Sequence, residues 1–202
     1  MSGLQAHAAY ALAWTAFGIV HSALASETVK GRLRPFAGRY YRLSYNIVGL
    51  VTTALVMAFG ALLFPNKAPF DLPEWFFVVQ TVLFLFGWGV MIIGARCYDM
   101  RRFAGVSQLR ESDGGEGDEE ALTTRCLLAY IRHPLYAAGF LILWGSAVNE
   151  LGLATAVWGS LYLWVGTMLE ERRLLRMHGE SYAAYRREVP AYIPWKGRVR
   201  EP

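Results

Sequence analysis

Residues 75–95 read WFFVVQTVLFLFGWGVMIIGA, an apolar run without a charged side chain. A helix needs about 20 such residues to cross the hydrocarbon core of a bilayer, because its backbone polar groups must pair with one another there. The run therefore predicts a transmembrane helix. Hydrophobic residues make up 54% of the 202-residue chain, which extends that prediction to most of the protein.

Four further apolar segments meet or approach the same length, at 4–25, 45–64, 134–149 and 152–169. We expect an all-α polytopic transmembrane bundle of about five spans. It should form a single domain over 1–202, because no linker rich in proline, glycine or serine divides the chain. Only the region of Asn149 to Leu151 separates the last two spans, which predicts a C-terminal helical hairpin packed together. The tail, 170–202, should lie at the membrane interface.

Positive charge predicts the orientation of the spans. All but Lys67 of the 20 lysines and arginines lie within 27–44, within 96–133 or beyond 169. Cytoplasmic loops retain positive charge during insertion. We therefore expect an integral membrane protein of a bacterial inner membrane, with its N-terminus outside and its C-terminus cytoplasmic. The arginines form short blocks between apolar runs, so they indicate a lipid bilayer and not nucleic acid as the partner.

In this orientation, helix ends from distant parts of the sequence meet at the cytoplasmic face. His21 closes the first span, Arg96 follows the third, 132–136 opens the fourth and 170–173 ends the fifth. Helix ends of both charge signs predict a pocket open to the cytosol.

Arg132-His133-Pro134-Leu135-Tyr136 is the sharpest local pattern. Pro134 suits the first turn of a helix, with His133 at the cap. Free amides at such an end favour an anionic group, for example a cofactor carboxylate. A helix start with an interfacial anchor is the alternative explanation.

Glu170-Glu171-Arg172-Arg173 precedes Tyr182 and Tyr185, which lie three apart on a predicted short helix that Pro190 ends. The alternative is a group of charges that terminates a transmembrane helix, followed by an amphipathic interfacial helix.

The C-terminal third resembles the isoprenylcysteine carboxyl methyltransferase and phospholipid methyltransferase superfamily. The matching positions are Arg132 to Tyr136, Glu170-Glu171, Gly179, Tyr182, Tyr185, Val189-Pro190 and Ile193-Pro194. Gly139 stands later than the usual glycine after the tyrosine, and His178 stands where an aromatic residue often precedes Gly179. Upstream, Asp99, Phe103, Gly105, Gln108, His21-Ser22 and the segment 41–46 are similar to bacterial thiol S-methyltransferases; the last two are also similar to membrane proteins associated with nitrogen-oxide reduction.

The resemblance implies methyl transfer from S-adenosyl-L-methionine, with S-adenosyl-L-homocysteine as product and no metal. It implies a cofactor between the fourth span, the fifth span and the tail. The cofactor-binding residues are then predicted to be Arg132, His133, Pro134, Tyr136, Glu170, Glu171, Arg173, Tyr182 and Tyr185. We assign the glutamates to the cofactor ammonium and ribose hydroxyls, and Arg172 or Arg173 to its carboxylate.

The methyl acceptor is expected to be a small thiol or a lipophilic molecule, with S-, O- and N-methylation all open. His21, Arg96, Glu171 and Arg172 are the predicted catalytic residues. Cationic His21 and Arg96 would favour a thiolate, since a free thiol has a pKa of about 8.5. A non-catalytic assembly factor linked to nitrogen-oxide respiration, built on the same scaffold, is the alternative function.

The sequence also gives expectations for an acidic segment and for the two cysteines. The acidic segment 111–120 is predicted to be a solvated connector or a lid over the pocket. The two cysteines, Cys97 and Cys126, lie outside any Cys-x-x-Cys or Cys/His cluster, so the sequence indicates neither a structural zinc site nor a disulfide framework. The sequence does not indicate an oligomeric state.

Overall fold

The computed structural model describes residues 3–110 and 123–196, and every regular element in these two ranges is a helix. The all-α prediction is confirmed. The helices are α1 (Gly3–Ala25), α2 (Glu27–Ala37), α3 (Tyr41–Leu63), α4 (Glu74–Ala95), α5 (Met100–Ala104), α6 (Val106–Arg110), α7 (Pro134–Gly145), α8 (Glu150–His178) and α9 (Glu180–Glu188), with 3₁₀ turns at Gly38–Tyr40 and Cys126–Ala129. The predicted connector or lid at 111–120 lies outside the described residues.

The described chain forms two compact units. The first contains α1, α2, α3, α5 and α6, and the second contains α4, α7, α8 and α9. The single domain over 1–202 stays a prediction.

Among the described residues, four helical segments are long and apolar enough to cross a membrane: α1, the continuous region Glu27–Leu63, α4 and α8. The helix α7 is apolar but has 12 residues, or about 18 Å at 1.5 Å per residue. It ends at Gly145, before the predicted 149, because residues 146–148 form a turn in which Val148 N donates to Ser146 O at 2.9 Å. The prediction of about five apolar segments is confirmed, with the fourth shorter than expected.

The helix α8 is longer than predicted at both ends. Asn149 caps its start, since its side chain accepts from Gly152 N at 2.8 Å. The helix then continues past Leu169 to His178 and stops at Gly179, whose φ of 54° favours glycine. The charged residues 170–173 therefore lie inside the helix and do not end it.

In the first unit, α1 packs on α3 around a tyrosine. Tyr10 is fully buried, and its ring occupies the space beside Gly60, where a Cβ would lie 2.6 Å from Tyr10 Cε2. The short helix α5 joins α3 through Phe103 O, which accepts from Arg42 Nε at 3.2 Å and from Asn46 Nδ2 at 3.0 Å. These contacts fix the segment that follows Asp99 to the start of α3.

In the second unit, α7 packs most closely on α4. Gly87 faces Ile142, and a Cβ on Gly145 would lie 2.4 Å from Phe84 N, so the two helices approach backbone to backbone. Gln80 adds a hydrogen bond from its Nε2 to Ala147 O at 3.1 Å. The helix α7 also packs on α8, which confirms the predicted packing of the C-terminal hairpin.

Candidate active site

The start of α7 is held by the tail. His133 is its N-cap and Pro134 its first residue, as predicted. The backbone N–H groups of Arg132 and His133 donate to Pro190 O at 2.9 Å and to Ala191 O at 3.0 Å. The Arg-His-Pro motif is thus fixed by the segment that follows α9.

Arg132 makes a nearly buried ion pair with Glu171 of α8. Its Nε and Nη2 atoms lie 3.0 Å and 2.5 Å from Glu171 Oε1, and the two side chains are 9% and 13% exposed. Arg132 Nη1 also donates to the carbonyls of Arg186, at 3.1 Å, and Val189. One guanidinium therefore connects α7, α8 and the end of α9.

Two more groups converge on the same carboxylate. His133, only 3% exposed, has its Nε2 at 3.1 Å from Glu171 Oε1, and Arg186 Nε lies 3.4 Å from Glu171 Oε2. The other ring nitrogen of His133, Nδ1, is 3.9 Å from Glu170 Oε2. The rings of Tyr136 and Tyr192 flank the imidazole, with centroids at 5.6 Å and 6.1 Å. Glu171 is thus shared by two guanidiniums and an imidazole.

The helix α9 supports this network through buried aromatic residues. Tyr182, Tyr185 and Val189 form a cluster against α8, and the Tyr185 hydroxyl donates to Leu128 O at 2.6 Å. Burial, and then the negative charge of Glu171, raises the pKa of Tyr182 to about 12. Both phenols are therefore neutral at physiological pH, and the structure places them in the packing between α9 and its neighbours.

The remaining predicted residues of the second unit are less enclosed. The Glu170 side chain is 41% exposed and Arg172 is exposed, while Arg173 is partly buried. Tyr136 is partly buried against α8, where its Cε1 lies 3.4 Å from the Cβ position of Gly166. Arg96 caps the end of α4 with an exposed side chain.

His21 belongs to the first unit. Its Nε2 lies 2.5 Å from the hydroxyl of Tyr45, and its ring contacts Phe17. Tyr45 also lines an apolar cavity of about 340 Å³ together with Leu33 and Phe36. The structure therefore gives His21 a tyrosine partner beside an apolar cavity.

The upstream motif has structural roles in the same unit. Asp99 caps α5 by accepting from the N–H groups of Arg101 and Arg102, and Gln108 donates to Arg102 O at 3.2 Å. Gly105 has a φ of 87°, and a Cβ there would lie 2.6 Å from Leu43 N. These residues shape the loop that holds α5 and α6 on α3.

Sequence reasoning missed two members of the network. Arg186 reaches Glu171 from α9, and the ring of Tyr192 packs on those of His133 and Phe140. Tyr192 directly precedes the motif residues Ile193-Pro194, and this position in the sequence is the feature that could have suggested it as a site residue.

The chain is similar to methyltransferases from three distant organisms. It is 28% identical over 191 residues to methanethiol S-methyltransferase of Pseudomonas deceptionensis, an alignment that covers 89% of this chain and 70% of the relative. It is 30% identical over 123 residues to methanethiol S-methyltransferase of Crocosphaera subtropica, covering 60% and 48%. It is 33% identical over 82 residues to protein-S-isoprenylcysteine O-methyltransferase of Schizosaccharomyces pombe, covering 38% and 34%.

The chain is thus similar to the isoprenylcysteine methyltransferase-like membrane methyltransferases, the thiol methyltransferases among them. No family model matches this methyltransferase, and no solved structure does. It spans about half or less of the length of the second and third relatives. In this methyltransferase, the ion pair of Arg132 and Glu171 joins two of the motif positions on which the resemblance rests.

Proposed function

We propose that the chain transfers a methyl group from S-adenosyl-L-methionine to a small thiol at a membrane, releasing S-adenosyl-L-homocysteine. The observation that carries the proposal is the network of Arg132, His133 and Glu171 at the start of α7, on the positions of the superfamily motif. The names of relatives that cover most of the chain, methanethiol S-methyltransferases, favour a thiol acceptor over a carboxylate or an amine.

The residues around His133 suit the charges of this methyl donor. The donor carries an ammonium, a sulfonium and a carboxylate, so it needs acidic, aromatic and basic partners. Glu171 is already bonded to two guanidiniums, whereas Glu170 is 41% exposed and has room for an ammonium or a ribose hydroxyl. Exposed Arg172, or Arg173 beside it, supplies a charge-assisted partner for the carboxylate.

The network also suggests different roles for Glu170 and Glu171. Glu171 holds Arg132 and His133 in place, and so acts as a positioning residue. Glu170 and the aromatic ring of Tyr136 are then the groups that contact the donor directly. Tyr182 and Tyr185 hold α9 against α8, next to these residues, through their buried rings.

The bound donor supplies an electrophilic methyl group. The chain's own residues orient the donor and the acceptor and exclude water, and these two effects account for most of the rate of such a transfer. The assignment of His21 and Arg96 to the acceptor thiolate stays a prediction. So do the cytoplasmic location of the site, the bacterial inner membrane and the single-domain organisation.

Ligand binding tests the cofactor and separates the proposal from the alternative of a non-catalytic assembly factor. We expect S-adenosyl-L-methionine and S-adenosyl-L-homocysteine to raise the melting temperature of the detergent-purified protein, because a ligand that binds only the native state stabilises it. Absence of any shift at saturating concentration of both ligands would contradict the proposal and favour the assembly role.

Turnover tests the acceptor. Proteoliposomes with methyl-labelled donor and methanethiol should release a labelled volatile sulfide, and label in the lipid or protein fraction would instead indicate another acceptor. We expect Glu170→Gln to weaken donor binding at least tenfold. The control is Glu180→Gln, whose side chain is 81% exposed on α9, and it should behave as wild type. Equal donor affinity in the two variants would remove Glu170 from the site.

A further inference from the structure

An apolar cavity lies where the end of α1, the helix α2 and the start of α3 meet. The end of α1 contacts the start of α3, because the Tyr41 hydroxyl donates to Leu24 O at 2.6 Å. Both α1 and the region that contains α3 are long and apolar enough to cross a membrane, so their joined ends lie near a membrane surface and not at its midplane. The cavity has a volume of about 340 Å³, and its lining includes Leu24, Leu33, Phe36, Ala37, Tyr45 and Val48.

The interior of this cavity suits a hydrocarbon chain. The tyrosine hydroxyls of its lining bond within the protein, Tyr41 to Leu24 O and Tyr45 to His21 Nε2. The lining therefore presents mainly apolar surface to the cavity. Pockets that hold small organic molecules have volumes of about 300–1,000 Å³, and a one-carbon thiol is far smaller than that. The proposed methyl acceptor would leave most of this cavity empty.

The helix α2 carries an apolar sector at the mouth of the cavity. At about 100° per residue, Leu33 and Phe36 project only about 60° apart. Phe36 is 90% exposed and Leu33 is 40% exposed, an apolar surface that an amphipathic interfacial helix buries among lipid. Arg32 borders this sector on the side of Phe36, and Lys30 and Arg34 border it on the side of Leu33. The helix α2 therefore has the pattern of a helix that lies in a membrane interface.

The charge of the α2 region favours an anionic occupant. Residues 27–42 contain five lysines and arginines and one acidic residue, Glu27. A second copy of the chain would bring the same positive charge and be repelled, whereas an anionic lipid headgroup is attracted. Glu27 projects from the same side of α2 as Lys30 and Arg34. Arg32 projects from the other side and is exposed, which makes it the cation farthest from this carboxylate.

We propose that the cavity binds an acyl chain of an anionic phospholipid whose phosphate is held by Arg32. A guanidinium suits a phosphate, because it can donate two parallel hydrogen bonds to its oxygens. Arg32 precedes Phe36 by about one helical turn, so the headgroup and the acyl chain meet at the rim of the cavity. The lipid fills the space between α1, α2 and α3. This inference does not depend on the methyl donor or on the methyl acceptor.

Binding of defined lipids to the full chain in dodecyl maltoside tests the proposal, with native mass spectrometry to count the bound molecules. Dioleoyl phosphatidylglycerol should bind about tenfold more tightly than dioleoyl phosphatidylcholine, because several cations attract the anionic lipid. Dihexanoyl phosphatidylglycerol has the same headgroup and shorter chains, so it should bind about tenfold more weakly than the dioleoyl lipid. Free glycerol 3-phosphate should not compete. Equal affinity for the two dioleoyl lipids, or competition by glycerol 3-phosphate, would overturn the proposal.

The variant Arg32→Gln tests the headgroup contact. It should weaken phosphatidylglycerol binding about fivefold and leave phosphatidylcholine binding unchanged, because one cation is lost. The matched control is Arg101→Gln on α5, which removes the same charge from an exposed residue outside the cavity lining and should bind as wild type. An equal loss in both variants would indicate general attraction to a cationic surface and would refute the site.

The variant Ala37→Phe tests the cavity, because its ring would occupy the space of the acyl chain. It should bind dioleoyl phosphatidylglycerol about tenfold more weakly. Ala54→Phe, at an exposed residue of α3 outside the cavity lining, should bind as wild type. Wild-type affinity in Ala37→Phe would contradict the assignment of the cavity. The comparison of lipids needs no variant, so it decides the question even where a substituted chain fails to fold.

Discussion

Replacing Glu171 by glutamine removes the negative charge that Arg132, His133 and Arg186 share. Arg132 is 9% exposed, so its cation would be left largely out of water. Leaving one partner of a buried ion pair uncompensated costs about 3–5 kcal/mol. Arg132 keeps its bonds to the carbonyls of Arg186 and Val189, and glutamine retains an acceptor oxygen. We therefore expect a loss of about 2–3 kcal/mol in the free energy of unfolding.

This free energy is measured by unfolding the protein with sodium dodecyl sulfate in mixed micelles. Tryptophan fluorescence reports the unfolded fraction at each point of the titration. The matched control is Glu170→Gln at the adjacent position, which is 41% exposed and 3.9 Å from His133 Nδ1. The loss there should stay below about 1 kcal/mol, as for other exposed ion pairs. If the two variants differ by less than about 0.5 kcal/mol, the electrostatic account of Glu171 is refuted.

A double variant separates the charge effect from damage to packing. When Arg132→Gln accompanies Glu171→Gln, the nearly buried guanidinium is gone, and the one that still faces residue 171, Arg186, is 50% exposed and keeps water around its charge. The combined loss should be smaller than the sum of the single losses by about 1 kcal/mol or more, since residues of one network couple. Strict additivity would mean that the pair does not interact.

Three further predictions concern stability measured in the same titration. Tyr185→Phe removes the buried hydroxyl bond of 2.6 Å and should cost about 1–2 kcal/mol, whereas Tyr130→Phe, at an exposed residue, should change stability by less than about 0.5 kcal/mol. Gly145→Ala should cost about 1–3 kcal/mol, because its Cβ would meet the backbone of α4 at 2.4 Å, whereas Gly89→Ala has open space and should not destabilise. Between pH 10 and 12 the native state keeps the Tyr182 proton while the unfolded state loses it, so this group should lower the free energy of unfolding by about 1.4 kcal/mol per pH unit. Tyr182→Phe should therefore flatten the slope of stability against pH in this range. An unchanged slope would contradict the raised pKa of Tyr182.

The sequence predicted the long helices well because the bilayer sets their length. The predicted ends of α1 and α4 agree with the structure to within a residue. The helix α3 begins at Tyr41, four residues before the predicted start at 45, because Tyr41 and its polar neighbours extend the helix beyond the apolar run. An apolar run reports the lipid-facing length of a helix and not the turns that extend beyond it.

Contacts between distant segments could not be predicted in this way. Nothing in the sequence indicates that Arg186 reaches Glu171 or that the Tyr185 hydroxyl reaches Leu128 O. Those contacts depend on where α9 and the 3₁₀ turn pack, and packing is decided by side chains from several elements. The Arg-His-Pro-x-Tyr motif did predict the cap and first turn of α7, since a helix start is a local property.

The roles of Glu170 and Glu171 depend on the length of α8. If the helix ended at Leu169, as the apolar run predicted, both carboxylates would lie on an irregular segment with no fixed direction. Because it continues to His178, adjacent residues project about 100° apart around its axis. Only one of the two can then face Arg132, and it is Glu171, while Glu170 is left 41% exposed beside His133. The extension of the helix thus separates a nearly buried carboxylate, bonded to Arg132, from a more exposed one, to which we assign the donor under the proposed function.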